Sequence, residues 1–320
     1  GNFSVAVGYG TLATQNFTTS TSTYNVAVGA SAGNDITTGT LNTLIGAFAG
    51  DALTDADSNV ALGYAALTGD TLGSRSVAIG RDALFNQNFA TATDAYNVAV
   101  GYNAGLSVTT ALQNVLIGGL AGDAITTGNN NTAVGSFSLS ANQTGSQNTA
   151  LGVQSLNVCT GTDNTAVGMN AGLVISTGSN NTAIGSLASN QITSGGNNIG
   201  IGKDAQRSGS PGGPQTTGSN AIGLGDENIT SFHCQVALTV VSDERDKTDF
   251  VDLDLGLDFV KALEPVTYYW DKRAKYLSKD NEDGTPNTDY DLDSVTPDGT
   301  HKEDWMDVGF KEQAVQTLQD

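Results

Sequence analysis

Cations are scarce in this sequence. Thirteen lysines and arginines stand against 33 aspartates and glutamates, so the 320-residue chain carries a formal charge of 13 − 33 = −20. Nucleic-acid binders neutralise phosphates with cations, and anionic membrane surfaces attract the same charges, so neither partner fits this balance. Cysteine is scarcer still: Cys159 and Cys234 supply neither a disulfide framework nor a multi-cysteine zinc site. No apolar run nears the roughly 18 to 20 residues of a membrane-spanning helix, so no membrane insertion is expected. No basic-then-apolar segment of signal-peptide type opens the chain. It starts at Gly1, as a fragment or a processed product would. Proline is limited to five residues while glycine reaches 40, and because glycine does not recur at every third position, collagen is excluded. A turn-rich repeat or low-complexity chain remains.

Periodicity decides between them. A motif of five residues recurs thirteen times: Asn or Ser, a variable residue, a small or aliphatic residue (usually Ala), Val/Ile/Leu, then Gly. Its glycines run from Gly8, Gly29, Gly46, Gly63 and Gly80 to Gly202 and Gly223, mostly 17 residues apart, with three intervals of 21 and one of 16. The insertions QNFTTSTSTYN (Gln15 to Asn25) and QNFATATDAYN (Gln87 to Asn97) lie 72 residues apart, equal to 21 + 17 + 17 + 17, so a block of four repeats is duplicated.

A unit of 17 residues cannot bury an apolar face alone and must stack on its neighbours. The fold expected is mainly β: a parallel β-solenoid, or β-roll, of about 13 rungs, each with two short strands joined by Gly and Asn turns, as a rod of roughly 60 Å. Stacking aligns Asn25, Asn42, Asn59, Asn97, Asn114, Asn131, Asn148, Asn164, Asn181 and Asn198, whose amides would form hydrogen-bonded ladders. The small central residue permits close backbone approach, which leads to the expectation of a homotrimer with Ala6, Ala27, Ala61, Ala99, Ala133 and Ala166 near a common axis. Tyr9, Tyr24, Tyr64, Tyr96 and Tyr102 fit packing at rung edges better than sugar-stacking platforms.

Composition breaks near residue 242. Residues 1–241 hold 12 acidic and 4 basic side chains and residues 242–320 hold 21 and 9, so charged density rises from about 7% to about 38%. The division expected is a repeat stalk over 1–225, an extended link over 226–241 and a small α+β domain over 242–320. In that domain LDLGLDFVKAL reads as a helix ended by Pro265, and VTYYW (Val266 to Trp270) as a strand. Asp289, Asp291 and Asp293 alternate as in a calcium loop, but Ser294 and Thr300 occupy the places where an EF-hand requires Gly and Glu. No metal or cofactor is expected.

The repeats resemble the β-roll heads of trimeric autotransporter adhesins and, more closely, the stalks of phage tail-fibre proteins. The features SDERDK, LDFVKALEPV, the aromatic strand and VGFKEQAVQ resemble the C-terminal intramolecular chaperone domain of endosialidase-type tailspikes. That resemblance implies a domain that trimerises the preceding β-structure and then cuts itself off between Val241 and Ser242, with Ser242 as nucleophile and Lys247 as general base, a single-turnover serine autoprotease. Ser-Lys pairs are a known nucleophile and base combination, although Asp243, Glu244, Asp246 and Asp249 favour the lysine's ammonium form unless burial offsets them. His301 is a rival base. Asp246, Lys311 and Glu312 depart from the usual residues of that family.

The function implied is a structural and adhesive phage tail-fibre segment, located extracellularly on the virion. Its partners would be itself as a homotrimer, other virion tail proteins, and a host cell-surface glycan or protein. A bacterial surface adhesin stalk and a glycan-degrading tailspike with its catalytic domain elsewhere are the alternatives.

Overall fold

The protein is described by a computed structural model over residues 2–210, 212–231, 265–269, 296–302 and 307–310. The chain divides into two compact units, Gly1–His233 and Cys234–Asp320. Among the described residues the structure is strand and turn, with no helix.

In the first unit each repeat forms one three-residue strand, and in the last repeat that strand lies two residues later than the motif ending at Gly223 predicts, with Gly223 at its centre and Gly225 closing it. The strands are Val5–Val7, Val26–Val28, Thr43–Ile45, Val60–Leu62, Val77–Ile79, Val98–Val100, Val115–Ile117, Thr132–Val134, Thr149–Leu151, Thr165–Val167, Thr182–Ile184, Ile199–Ile201 and Ile222–Leu224. They make a single 13-stranded sheet in repeat order, parallel and in register, so that Thr132 pairs Thr149 and Ala133 pairs Ala150. The result is a parallel β-solenoid of about 12 turns.

The motif glycine closes each strand for two reasons. Its φ, near +137° at Gly118, belongs to a region that favours glycine. A Cβ built on Gly118 would also lie 2.6 Å from the Gly135 carbonyl of the next rung.

The second strand expected after each glycine does not form there; a further pair of short strands, Gly73–Ser74 with Thr93–Asp94, occurs in two rungs at another position. After Gly135, Phe137 and Leu139 take φ of 58° and 49°, and left-handed residues at every second position curl the chain into turns that extended backbone cannot make. These turns still bond to the rungs on either side: the Phe137 amide donates to Gly119 O at 3.1 Å and the Leu139 amide to Ser155 O at 3.1 Å.

The trimer-axis position expected for the alanines is also corrected. Ala27, Ala61, Ala99, Ala133 and Ala166 are fully buried inside the chain's own rungs, while Ala6, in the first rung, is exposed. Strand side chains alternate, so the middle residue enters the solenoid and its two neighbours face outward. The interior then fills from three places on each rung: the strand centre and the fourth and seventh residues after the glycine. Where the fourth is Leu (Leu67, Leu84, Leu139, Leu156), the seventh is polar or Cys (Asp70, Gln87, Asn142, Cys159). Where the fourth is Gly (Gly33, Gly50, Gly105, Gly122, Gly172), the seventh is aliphatic (Ile36, Leu53, Val108, Ile125, Ile175). Close packing explains the exchange, because one corner can be filled only where the other leaves room.

In the second unit Pro265–Tyr268 pairs antiparallel with Asp307–Phe310, with Thr267 opposite Val308. This places a strand on most of the expected VTYYW segment. The expected helix before Pro265 lies outside the described residues.

Candidate functional surfaces

Ser242, Lys247 and the Val241–Ser242 bond, the expected cleavage site, lie outside the described residues, as do the acidic side chains Asp289, Asp291 and Asp293. His301, the rival base, is exposed in a turn, and the neighbouring Lys302 ammonium sits 3.9 Å from the Tyr269 ring centroid. Among the described residues no three His, Cys, Asp or Glu side chains group as a metal site would require.

The solenoid carries a line of buried amides on one flank. Asn131 Nδ2 donates to Gly145 O at 2.9 Å, and Asn131 Oδ1 accepts from the Asn148 backbone amide at 3.0 Å. The same two bonds recur at Asn114. Amide-to-amide contacts, such as Asn148 Nδ2 to Asn131 Oδ1 at 3.2 Å, complete the expected ladder. Its main work is to satisfy backbone groups at the rung corners, since a buried unpaired N–H or C=O is costly.

The ladder lapses at Ser76, where serine opens the motif. Gln87 fills the gap, donating to Ser76 Oγ at 2.9 Å and to Asp70 Oδ2 at 2.6 Å, while its Oε1 accepts from Asn97 Nδ2 at 2.9 Å. Asp70 Oδ1 accepts from the Gly73 amide at 3.0 Å. Burial, only partly countered by these donors, raises the Asp70 pKa above the ordinary 3.8. Sequence reading missed both residues. The sign of their role is that glutamine stands seven residues after Gly8 and after Gly80, in the two repeats whose strand is directly preceded by serine, Ser4 and Ser76. Cys159 lies in the same inner column, buried, and desolvation pushes its thiol up to about 11, the inert form of a cysteine.

The tyrosines form short columns along the solenoid. The Arg81 guanidinium lies over Tyr64 at 5.6 Å and Tyr102 at 6.0 Å, and Phe48 meets Tyr64 edge-on. Tyr24 stacks on Phe3 with ring centroids 5.4 Å apart, and Arg75 covers Tyr96 at 5.7 Å while pairing with Asp94. These contacts pack one side of each ring, while the four tyrosines stay about half exposed. Tyr9, in the first rung, is the exception at 89% exposed.

An uninterrupted surface feature runs along the outer face of the sheet. The first and last residues of all thirteen strands, the second and fourth motif positions in the first twelve, point outward, and every one is Val, Ile, Leu or Thr. Val7, Ile45, Leu62, Ile117, Leu151, Ile184, Ile201 and Leu224 are all exposed. The twelve acidic and four basic residues of 1–241 all lie elsewhere.

Comparison with known proteins finds a family similarity in the C-terminal quarter. Residues 242–318 match the family described as chaperone of endosialidase, and the match begins on Ser242 and includes Lys247. No curated protein and no solved structure matches the chain. A parallel β-solenoid followed by an endosialidase-type chaperone region fits a phage tail fibre or tailspike-like protein.

Proposed function

We propose that this chain is a homotrimeric segment of a phage tail fibre. The solenoid serves as a rod that projects a receptor-binding region from the virion, joined to other tail proteins and meeting a host cell-surface glycan or protein. The C-terminal region brings three chains into register and then releases itself. The observation that carries this reading is the order of the parts: a thirteen-strand stack ahead of the chaperone match at 242–318. A stack of near-identical rungs offers many equivalent registers, so assembly from several copies needs a segment that fixes which rung meets which.

In the release step Lys247, as the neutral amine, takes the proton from Ser242 Oγ. The oxygen attacks the Val241 carbonyl carbon, and the proton passes to the Ser242 nitrogen as the Val241–Ser242 amide breaks. The resulting ester is hydrolysed by water, leaving a carboxylate on Val241 and a free amine on Ser242. Intact-mass analysis of the expressed chain tests this. The expected products divide between residues 241 and 242, and Ser242→Ala leaves a single 320-residue chain. A wild-type chain that remains whole, or a Ser242→Ala chain that is still cut there, overturns the mechanism.

A further inference from the structure

Among the described residues of the first unit, nothing covers the outward face of the solenoid sheet. One column runs through Val98, Val115 and Thr132 and the other through Val100, Ile117 and Val134, one step per rung. Twelve steps of ~4.8 Å and a width of ~10 Å make a strip of roughly 600 Å² per copy. Soluble monomers rarely leave an apolar patch of more than a few hundred Å² open.

We infer that this face is covered by further copies of this chain, arranged in parallel with equal rungs at equal height. This deepens the homotrimeric reading above, from which the number of copies is taken. Three observations favour a copy over an unrelated partner. The face is the same in all thirteen rungs, so a parallel copy offers a matching surface along its whole length, whereas a different protein would need the same repeat. It contains no charge, although residues 1–241 carry a net 4 − 12 = −8, so two acidic rods can approach there with their carboxylates turned aside. Three such strips closed around one axis cover roughly 1,800 Å² in all, about 600 Å² at each contact between two copies, which is small for a single pair, so the three contacts form together. The arrangement is cyclic: the second-residue column of one copy packs against the fourth-residue column of the next. The buried alanines take no part.

The test measures native mass on the purified protein. Wild type is expected as three copies, and Ile117→Asp with Val134→Asp is expected to lose that assembly, while Gln143→Asp, at an exposed site off the face, retains it. Because the paired aspartates could instead impair folding, a second variant reads the contact directly. With Cys234→Ser, and with Cys159 buried, Ile117→Cys is expected to give covalent multimers with a short thiol cross-linker, and Gln143→Cys none. A trimer that tolerates both aspartates and gives no Ile117→Cys cross-link overturns this face while leaving the homotrimer standing. A folded wild-type monomer overturns both.

Discussion

Asn131 shows what a single side chain contributes here. Its amide holds the Gly145 carbonyl and its oxygen the Asn148 amide, both in the next rung. Replacing it with alanine strands both groups without water, at roughly 1–3 kcal/mol for each, so Asn131→Ala is expected to lose about 2–5 kcal/mol in denaturant unfolding. An equal loss is expected at any inner rung whose motif opens with asparagine. The ladder was legible in the sequence because its asparagines recur with the period. Gln87 and Asp70 were not, because their role depends on which two corners of a rung face each other, and spacing along the chain does not reveal that. Asp70 supplies a second test. Its folded pKa is raised above the unfolded value of 3.8, so between those two values the folded state holds a proton that the unfolded state has lost. Stability therefore falls as pH rises through that window. Asp70→Asn should flatten this slope, as read from melting temperatures across acid pH.

At the scale of the rung, the strand and its period could be read from the motif, but the segment after each glycine could not. YAAL and FSLS have strand-like composition, yet they take left-handed φ at alternate residues, because the corner must turn tightly around a narrow interior. The same interior explains the central alanine, whose smallness first suggested a neighbouring chain. The exchange between the fourth and seventh residues gives a prediction. Gly122→Leu brings a Cβ to 2.7 Å from Leu116 Cδ2 and 2.8 Å from Ile125 Cδ1, an overpacking that should cost about 1–3 kcal/mol. Adding Leu116→Ala and Ile125→Asn copies the rung of Ala133, Leu139 and Asn142, and should recover most of that loss. Leucine itself is tolerated at that backbone position, since Leu139 adopts φ of 49° there.

At the scale of the molecule, a repeat stack of uniform outer face precedes a region whose charged density is several times higher and whose residues 242–318 match a chaperone of endosialidase. A trimer is an expectation of the sequence, but the face proposed for it is not legible there. VAV and TAI show alternation, and alternation alone does not reveal which side is interior. The structure shows the alanines inward, which leaves the Val, Ile, Leu and Thr columns as the outer face that is proposed to meet other copies. The most direct test of this account is the native mass of the purified wild-type protein, read alongside chain mass to allow for release at Ser242. The account predicts three stalks per particle; a folded, single-chain stalk would contradict it.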